Sequence, residues 1–198
     1  MGTDETEIER LVAAAKAGDP EAFGAIFDAY HDPVYRYVAS RVRRPSDAED
    51  LAQLVFVKAL EALPRYEARG VPFGGWLFRL ARNTVIDHLR TRREHLDLEA
   101  LAERPDEEPG PDAVAAARQE IEAVGAALAE LTEEQRDAIA LRFFAGLSAR
   151  EAAVAMGKQE GTVRGLQFRA IAALRRRLGL DGRPEGQDNS AGEGPQQR

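Results

Sequence analysis

The sequence predicts an all-α protein of two small helical domains joined by an acidic flexible linker, the C-terminal one a helix-turn-helix. Three observations lead to it. Apolar residues return at i, i+3, i+4 and i+7 in segment after segment, the spacing of a stripe on a helix. That periodicity fails after Arg93 and resumes near Asp112, across a stretch crowded with acid and with Pro105, Pro109 and Pro111. Beyond it, two short helical patterns flank Gly157, which permits a tight turn between them.

In chain order, Asp4 to Ala17 reads as a helix with Ile8, Leu11, Val12 and Ala15 inward; Gly18-Asp19-Pro20 stops it and caps the next. A second helix opens at Glu21 and carries Phe23, Ile26, Phe27, Tyr30, Val34, Tyr37, Val38 and Val42, with a kink or short break expected at Asp32-Pro33. Ser46 as N-cap, with Glu49 at the capping-box position, starts a third from about Asp47 to Leu63. It buries Leu51, Val55, Leu60 and Leu63 and exposes Asp50, Gln53 and Lys58. Pro64 ends it, and Tyr66 to Pro72 is a loop by its Gly and Pro content. The central helix, Phe73 to Arg93, buries Leu77, Leu80, Ala81, Thr84, Val85 and Leu89.

Glu94 to Pro111 reads as a mostly extended linker. Structure resumes in a helix with Val114, Ile121, Val124, Leu128 and Leu131. Thr132 to Gln135 offers a capping box for Glu133 to Phe144, which buries Ile139, Leu141 and either Phe143 or Phe144 and ends at Gly146. Ser148 caps the first helix of the final pair, Ala152 allows close approach of the second, and Val163, Leu166, Ile171 and Leu174 return to the core. From Gly179 the Gly, Pro, Gln and Asp content reads as a disordered tail.

Composition narrows the function. With 44% hydrophobic and 31% charged residues this is a soluble globular chain. It has no apolar run near the roughly 20 residues that span a bilayer and a polar, acidic start, which predicts a cytoplasmic protein with no membrane insertion. There is no Cys, and His31, His88 and His95 are scattered, so neither a metal centre, a cofactor nor a catalytic set is expected. The net charge of -7 is an average over patches. Acid gathers at Asp47 to Asp50 and Glu94 to Asp112, Arg at Arg41 to Arg44, Arg79 to Arg93 and Arg164 to Arg176, and DNA responds to the patches.

Two of those patches are equipped for nucleic acid. Around the buried stripe of the central helix stand Arg79, Arg82, Asn83, Arg90, Arg92 and Arg93, with Trp76 and Phe78 near its start. Cations neutralise phosphates and an aromatic ring can stack on a base that has left the duplex. The same residues also suit an amphipathic helix with a solvated basic side and a core Trp. In the helix-turn-helix, Thr162, Arg164, Gly165, Gln167, Phe168 and Arg169 point outward from the second helix, and Arg175 to Arg177 extend a basic stripe. Arg and Gln read major-groove edges and a Phe can touch a thymine methyl.

The segment Trp76-Leu77-Phe78-Arg79-Leu80-Ala81-Arg82-Asn83, followed by Ile86-Asp87-His88-Leu89-Arg90, resembles the promoter-melting, minus-ten-reading helix of sigma-70 family factors of the extracytoplasmic-function (ECF) group. Asp47 to Phe56 is similar to the segment with which those factors dock on the clamp helices of the polymerase largest subunit, and Gly161 to Ile171 resembles their minus-thirty-five reader. The resemblance implies a first domain at residues 1–93, a linker at 94–118, a second domain at 119–178 and a tail at 179–198. It implies a minus-ten set of Tyr66, Arg69, Gly70, Val71, Pro72, Phe73, Trp76, Arg79, Arg82, Asn83, Asp87 and Arg90, in which the loop takes a flipped base. The implied minus-thirty-five set is Lys158, Thr162, Arg164, Gly165, Gln167, Phe168 and Arg169, and the polymerase-binding set Asp47, Asp50, Gln53, Leu54 and Phe56. Core RNA polymerase and promoter DNA follow as partners, with an anti-sigma factor as a further candidate partner and no chemistry of the chain's own. In such factors an acidic linker threads the active-site cleft; a solvated tether is the alternative reading of this one, and composition suits both equally.

The chain departs from the family pattern at Leu54, where an acid is usual, and at Gly165-Leu166, where Ser-Arg is frequent. The alternative function is a one-component regulator with an operator-binding helix-turn-helix and a ligand-sensing first domain. Its weakness is the absence of a receiver-type βα alternation and a basic aromatic helix where a ligand cavity needs apolar walls. A nucleic-acid enzyme is more remote, because Asp4, Asp28, Asp47, Asp50 and Asp87 show no two-metal spacing.

Overall fold

The computed structural model describes residues 5–68, 70–99 and 123–180, the side chains of 93–99 excepted. Every described element is helical. The first domain holds α1 (Glu5–Lys16), α2 (Pro20–Ala39), α3 (Pro45–Ala62), a 3-10 turn (Leu63–Arg65) and α4 (Phe73–Glu99). The second holds α5 (residues 123–129), α6 (Glu133–Ile139), a π turn (Ala140–Phe144), α7 (Ala149–Met156) and α8 (Glu160–Arg177). The start of the helix expected from Asp112, with Val114 and Ile121, most of the linker, and the tail beyond residue 180 lie outside the described residues.

Local chemistry accounts for most boundaries. The Asp19 carboxylate accepts from the backbone N–H groups of Glu21 and Ala22, and Pro20 sits in the first turn, where its missing N–H costs nothing. The break expected at Pro33 does not occur: α2 runs through it, because Val34, Tyr37 and Val38 just beyond are wholly buried and hold the helix together. Ser46 does not cap α3. Pro45 starts that helix and Arg44 precedes it without a side-chain cap, since a proline is already set to the helical φ. The capping box predicted at Thr132/Gln135 is reciprocal, Ser148 caps α7 as predicted, with Glu151 completing a second box that the sequence reading did not name, and Gly157 takes the left-handed conformation (φ 63°) between α7 and α8.

Burial follows the expected stripe along α4, with Leu77, Ala81, Thr84 and Val85 inward. Phe78 does not stand outside with Trp76. It is fully buried, edge-on to Tyr37 with ring centroids 5.9 Å apart. The helix also continues beyond Arg93 to Glu99, where a linker was expected, since adding residues to an established helix is cheap even without an apolar stripe. Leu60 is exposed rather than buried, because Leu51, Val55, Ala59 and Leu63 form the inward row of α3 and Leu60 falls off it. Two side-chain ties brace α3 to α4: Lys58 Nζ donates to Thr84 Oγ1 at 3.1 Å, and Arg92 donates to Asp47 at 3.0 Å.

The π turn overturns another expectation. It winds one residue more into the turn, with Ala145 N–H on the Ala140 carbonyl, so both Phe143 and Phe144 face solvent while Ala140 and Leu141 stay inside. The two domains are packed together, which the periodicity did not foretell. One continuous core runs from Ile26, Val34, Leu77 and Val85 to Leu141, Leu147, Ala152 and Met156. The start of α4 lies against α7 so closely that a Cβ on Gly75 would meet Val154 Cβ at 2.9 Å, and one on Gly74 would meet Glu151 Oε1 at 2.6 Å.

Candidate nucleic-acid interface

The loop before α4 is shaped by an aromatic cluster. Tyr66 is buried, its hydroxyl donating to the Val71 carbonyl at 3.0 Å, and its ring lies 5.5 Å from Phe73 and 4.9 Å from Trp76. Phe73 is buried, with Tyr30 on its other side at 5.6 Å; Trp76 is half-buried. These three aromatics therefore set the loop's shape, and only Trp76 keeps part of its surface available to a base. A cavity of ≈ 300 Å³ opens between α1 and the loop, lined among others by Val12, Lys16, Tyr66, Ala68 and Phe73. Gly70 is exposed at φ 71°, while Val71 and Pro72 are half-buried; Arg69 lies outside the described residues.

Along α4, Arg79, Asn83, Asp87 and Arg90 recur at one-turn spacing and are all exposed, giving a single outward row of polar and basic groups. Asp87 pairs with Arg90 at 3.7 Å, both largely solvated, so the pair contributes little. Arg82 is different. Its Nε donates to Asp137 Oδ2 of α6 at 2.7 Å. Asp137 is wholly buried, and Arg41 at 3.3 Å and the Tyr37 hydroxyl at 3.5 Å complete its surroundings; Arg41 also pairs with Glu133. Burial, and then the Asp137 charge, push the Tyr37 phenol far above its ordinary value.

On α8, Phe168 is 75% exposed, the most exposed large apolar side chain among the described residues. A ring left in water on a helix whose inner face holds Val163, Leu166 and Ala170 is a contact surface without a partner. Thr162, Arg164 and Arg169 are exposed around it. Arg164 is held by Glu160 through Nε at 3.0 Å and Nη2 at 2.6 Å, and Gln167 Oε1 accepts from Arg142 at 3.1 Å, so both are partly ordered before any ligand arrives. Lys158 pairs with Glu134 at 2.7 Å. A Cβ on Gly165 would meet only the end of Arg169, so nothing within the protein demands a glycine there. Arg175 and Arg176 are exposed, while Arg177 pairs with Glu130.

The docking set is split by the structure. Asp50, Gln53 and Leu54 are exposed along α3, but Phe56 is buried against Phe27 at 4.6 Å and Asp47 is engaged by Arg92. The face continues instead through Val57 and Leu60, 52% and 54% exposed, which the sequence reading missed. Their spacing from Leu54 places them opposite the inward row, and that signal was available. Among the described residues no helix is long and apolar enough to cross a membrane, and no His, Cys, Asp and Glu group is arranged to hold a metal.

Comparison with known proteins agrees with this arrangement. The sigma-70 region 2 family model matches residues 26–95 and the sigma-70 region 4 model residues 127–176. The chain is 36% identical over 183 residues to the ECF RNA polymerase sigma factor BldN of Streptomyces coelicolor, spanning 91% of this chain and 69% of that one. It is 38% identical over 186 residues to the ECF RNA polymerase sigma factor ShbA of Streptomyces griseus, spanning 88% and 97%. Among solved structures it is similar to CnrH in complex with the cytosolic domain of CnrY, with TM-score 0.66, 28% identity and coverage of 89% and 99%. It is also similar to the sigma factor RpoE in complex with the anti-sigma factor NepR from Bartonella quintana, with TM-score 0.62, 26% identity and coverage of 81% and 98%. With both domain families in order and relatives matched over most of its length, the chain belongs to the ECF group of sigma-70 family factors, which recognise promoters for RNA polymerase.

Proposed function

We propose that the chain divides promoter recognition between its two domains. Residues 1–93 hold core polymerase and open and read the minus-ten element, and residues 119–178 read the minus-thirty-five element. The observation that carries this is the pair of outward faces on separate helices: Arg79, Asn83 and Arg90 on α4, and Arg164, Phe168 and Arg169 on α8, all exposed. In the minus-ten domain the base leaves the stack toward the Trp76 edge and the cavity behind the loop. Unstacking costs a few kcal/mol, and stacking with an amide on the base edge returns about that much, so opening needs no ATP. The docking face is the α3 row from Asp50 through Leu54, Val57 and Leu60. Similarity to the sigma factor RpoE, solved in complex with the anti-sigma factor NepR, supports an anti-sigma partner for this chain as well.

Run-off transcription with purified core polymerase tests the reading. Wild-type protein is expected to give a promoter-dependent transcript; Asn83→Ala is expected to slow opening on duplex promoter but less on a pre-melted one. No transcript above core alone would overturn it.

A further inference from the structure

We propose that the groove between α4 and α6 is a binding site for a small phosphorylated ligand with a ring body, the chemical class of a nucleoside diphosphate. Neither DNA face has to be assigned as above for such a site to exist. A cavity of ≈ 360 Å³ opens where the turn leaving α2 meets α4 and the start of α6. That volume falls at the low end of the range of about 300 to 1,000 Å³ in which small-molecule sites lie. Four arginines line it, Arg41 and Arg43 from the turn, Arg92 from α4 and Arg136 from α6, against a single acid, Glu133.

This concentration of guanidinium is opposite in sign to the chain, whose net charge is -7. Internal pairing uses part of it. Arg92 is held by Asp47 at 3.0 Å, Arg41 by Glu133 and by the buried Asp137 at 3.3 Å, and Arg136 donates to the Ala129 and Leu131 carbonyls. The remainder faces the cavity. Arg43 is exposed with no carboxylate partner among the described residues, and the side chains of Arg92 and Arg136 are still 36% and 30% exposed. Arg41 Nε is buried without an acceptor, so the cluster holds more donors than the protein has oxygens for. Guanidinium forks match phosphate oxygens two at a time, and several together suit a ligand that carries more than one negative charge.

Past Glu133 the groove continues into a second cavity of ≈ 180 Å³, lined by Ile86, Leu89, Arg90 and Glu133. Leu89 and Glu133 belong to both cavities, which makes them one path. Ile86 and Leu89 give this end an apolar floor, and Arg90, largely solvated, can lay its guanidinium flat on an aromatic ring. A bare anion gains nothing from such a slot, whereas the base of a nucleotide does. Glu133 stands at the junction, where a sugar would present hydroxyl donors, so the one acid meets donors and the arginines meet oxygens.

Calorimetric titration of the full chain in magnesium-free buffer with ADP, inorganic pyrophosphate and adenosine reads the two ends of the site separately. ADP is expected to bind at least about tenfold more tightly than pyrophosphate and to raise the melting temperature, and adenosine to show no binding. Arg43→Ala removes an exposed side chain without a carboxylate partner; it is expected to weaken ADP and pyrophosphate alike by about tenfold. Ile86→Ser is expected to weaken ADP by about the same factor and to leave pyrophosphate unchanged. Melting of each unliganded variant checks that it is folded, and if Ile86→Ser is not, the comparison of ADP with pyrophosphate on the parent still decides the apolar slot. No binding of ADP at millimolar concentration, binding undiminished by Arg43→Ala, or equal affinity for ADP and pyrophosphate each overturns the site. So does displacement of ADP by a short oligothymidylate at a concentration below that of ADP, which would make the groove a track for a nucleic-acid strand. None of these readings involves promoter or polymerase, so their outcome is separate from that of run-off transcription.

Discussion

Arg164 and Arg176 share one helix and are assigned opposite duties. Arg164 stands beside Phe168 with its guanidinium held by Glu160, where we propose that it reads a base, whereas Arg176 lies near the far end of α8, where the same proposal gives it a phosphate. Arg164→Ala is therefore expected to cost about 1 to 3 kcal/mol on the matching element and to relax preference there. Arg176→Ala is expected to weaken all sequences alike and flatten the salt slope by about 1. Titrations of holoenzyme on specific and random duplex at several salt concentrations separate them; equal losses on both duplexes for Arg164→Ala would refute its role. Side chains on α8 were legible because an exposed Phe between cations is rare on a helix otherwise well patterned. Phe56, Phe78 and Tyr66 were not. An aromatic on an amphipathic segment looks alike whether it faces a base or a neighbouring ring, and only the neighbours Phe27, Tyr37 and Phe73 decide it.

Helix α3 illustrates what pattern reveals and what it misses. Its inward row was readable, yet Leu60 was placed inside because a Leu three residues before Leu63 fits a helical stripe as well as Ala59 does. The outcome is an apolar strip of Leu54, Val57 and Leu60 in water, bordered by Asp50 and Gln53. Val57→Asp with Leu60→Asp is expected to leave the melting temperature nearly unchanged and to weaken core polymerase binding at least about tenfold, seen as free protein in gel filtration of the mixture. Co-elution at wild-type ratio would remove the strip from the docking face. The π turn was illegible for a different reason: nothing in Ala140 to Phe144 signals an extra residue in the turn, and one residue of slippage exposes both phenylalanines.

Taken across both domains, the fold class and the order of elements were legible, because capping boxes and periodicity are local. The contact between domains was not. Arg82 meets Asp137 across 55 positions of sequence, and Tyr37 meets it across 100, distances over which no spacing rule operates. That shared core makes a pH prediction. Tyr30 and Tyr37 are both raised far above the ordinary phenol value, first by burial and then by carboxylates of the other domain, Glu151 and Asp137. The folded state keeps these protons while the unfolded chain releases them above about pH 10, so their contribution is complete below that pH and is lost as pH rises beyond it. Denaturant unfolding is expected to show falling stability above pH 10, with a shallower decline in Tyr37→Phe; an unchanged slope would exclude Tyr37 as a source.

The ties from Lys58 to Thr84 and from Asp47 to Arg92 have a mechanical meaning as well. On the proposed assignment they make α3 and α4 one rigid jig, clamped to polymerase along one edge and presenting its outward row along another. Such a jig has no internal hinge with which to follow a duplex. The nucleic acid must therefore do the bending, and the work of strand separation is set by how easily a given sequence deforms against a fixed template.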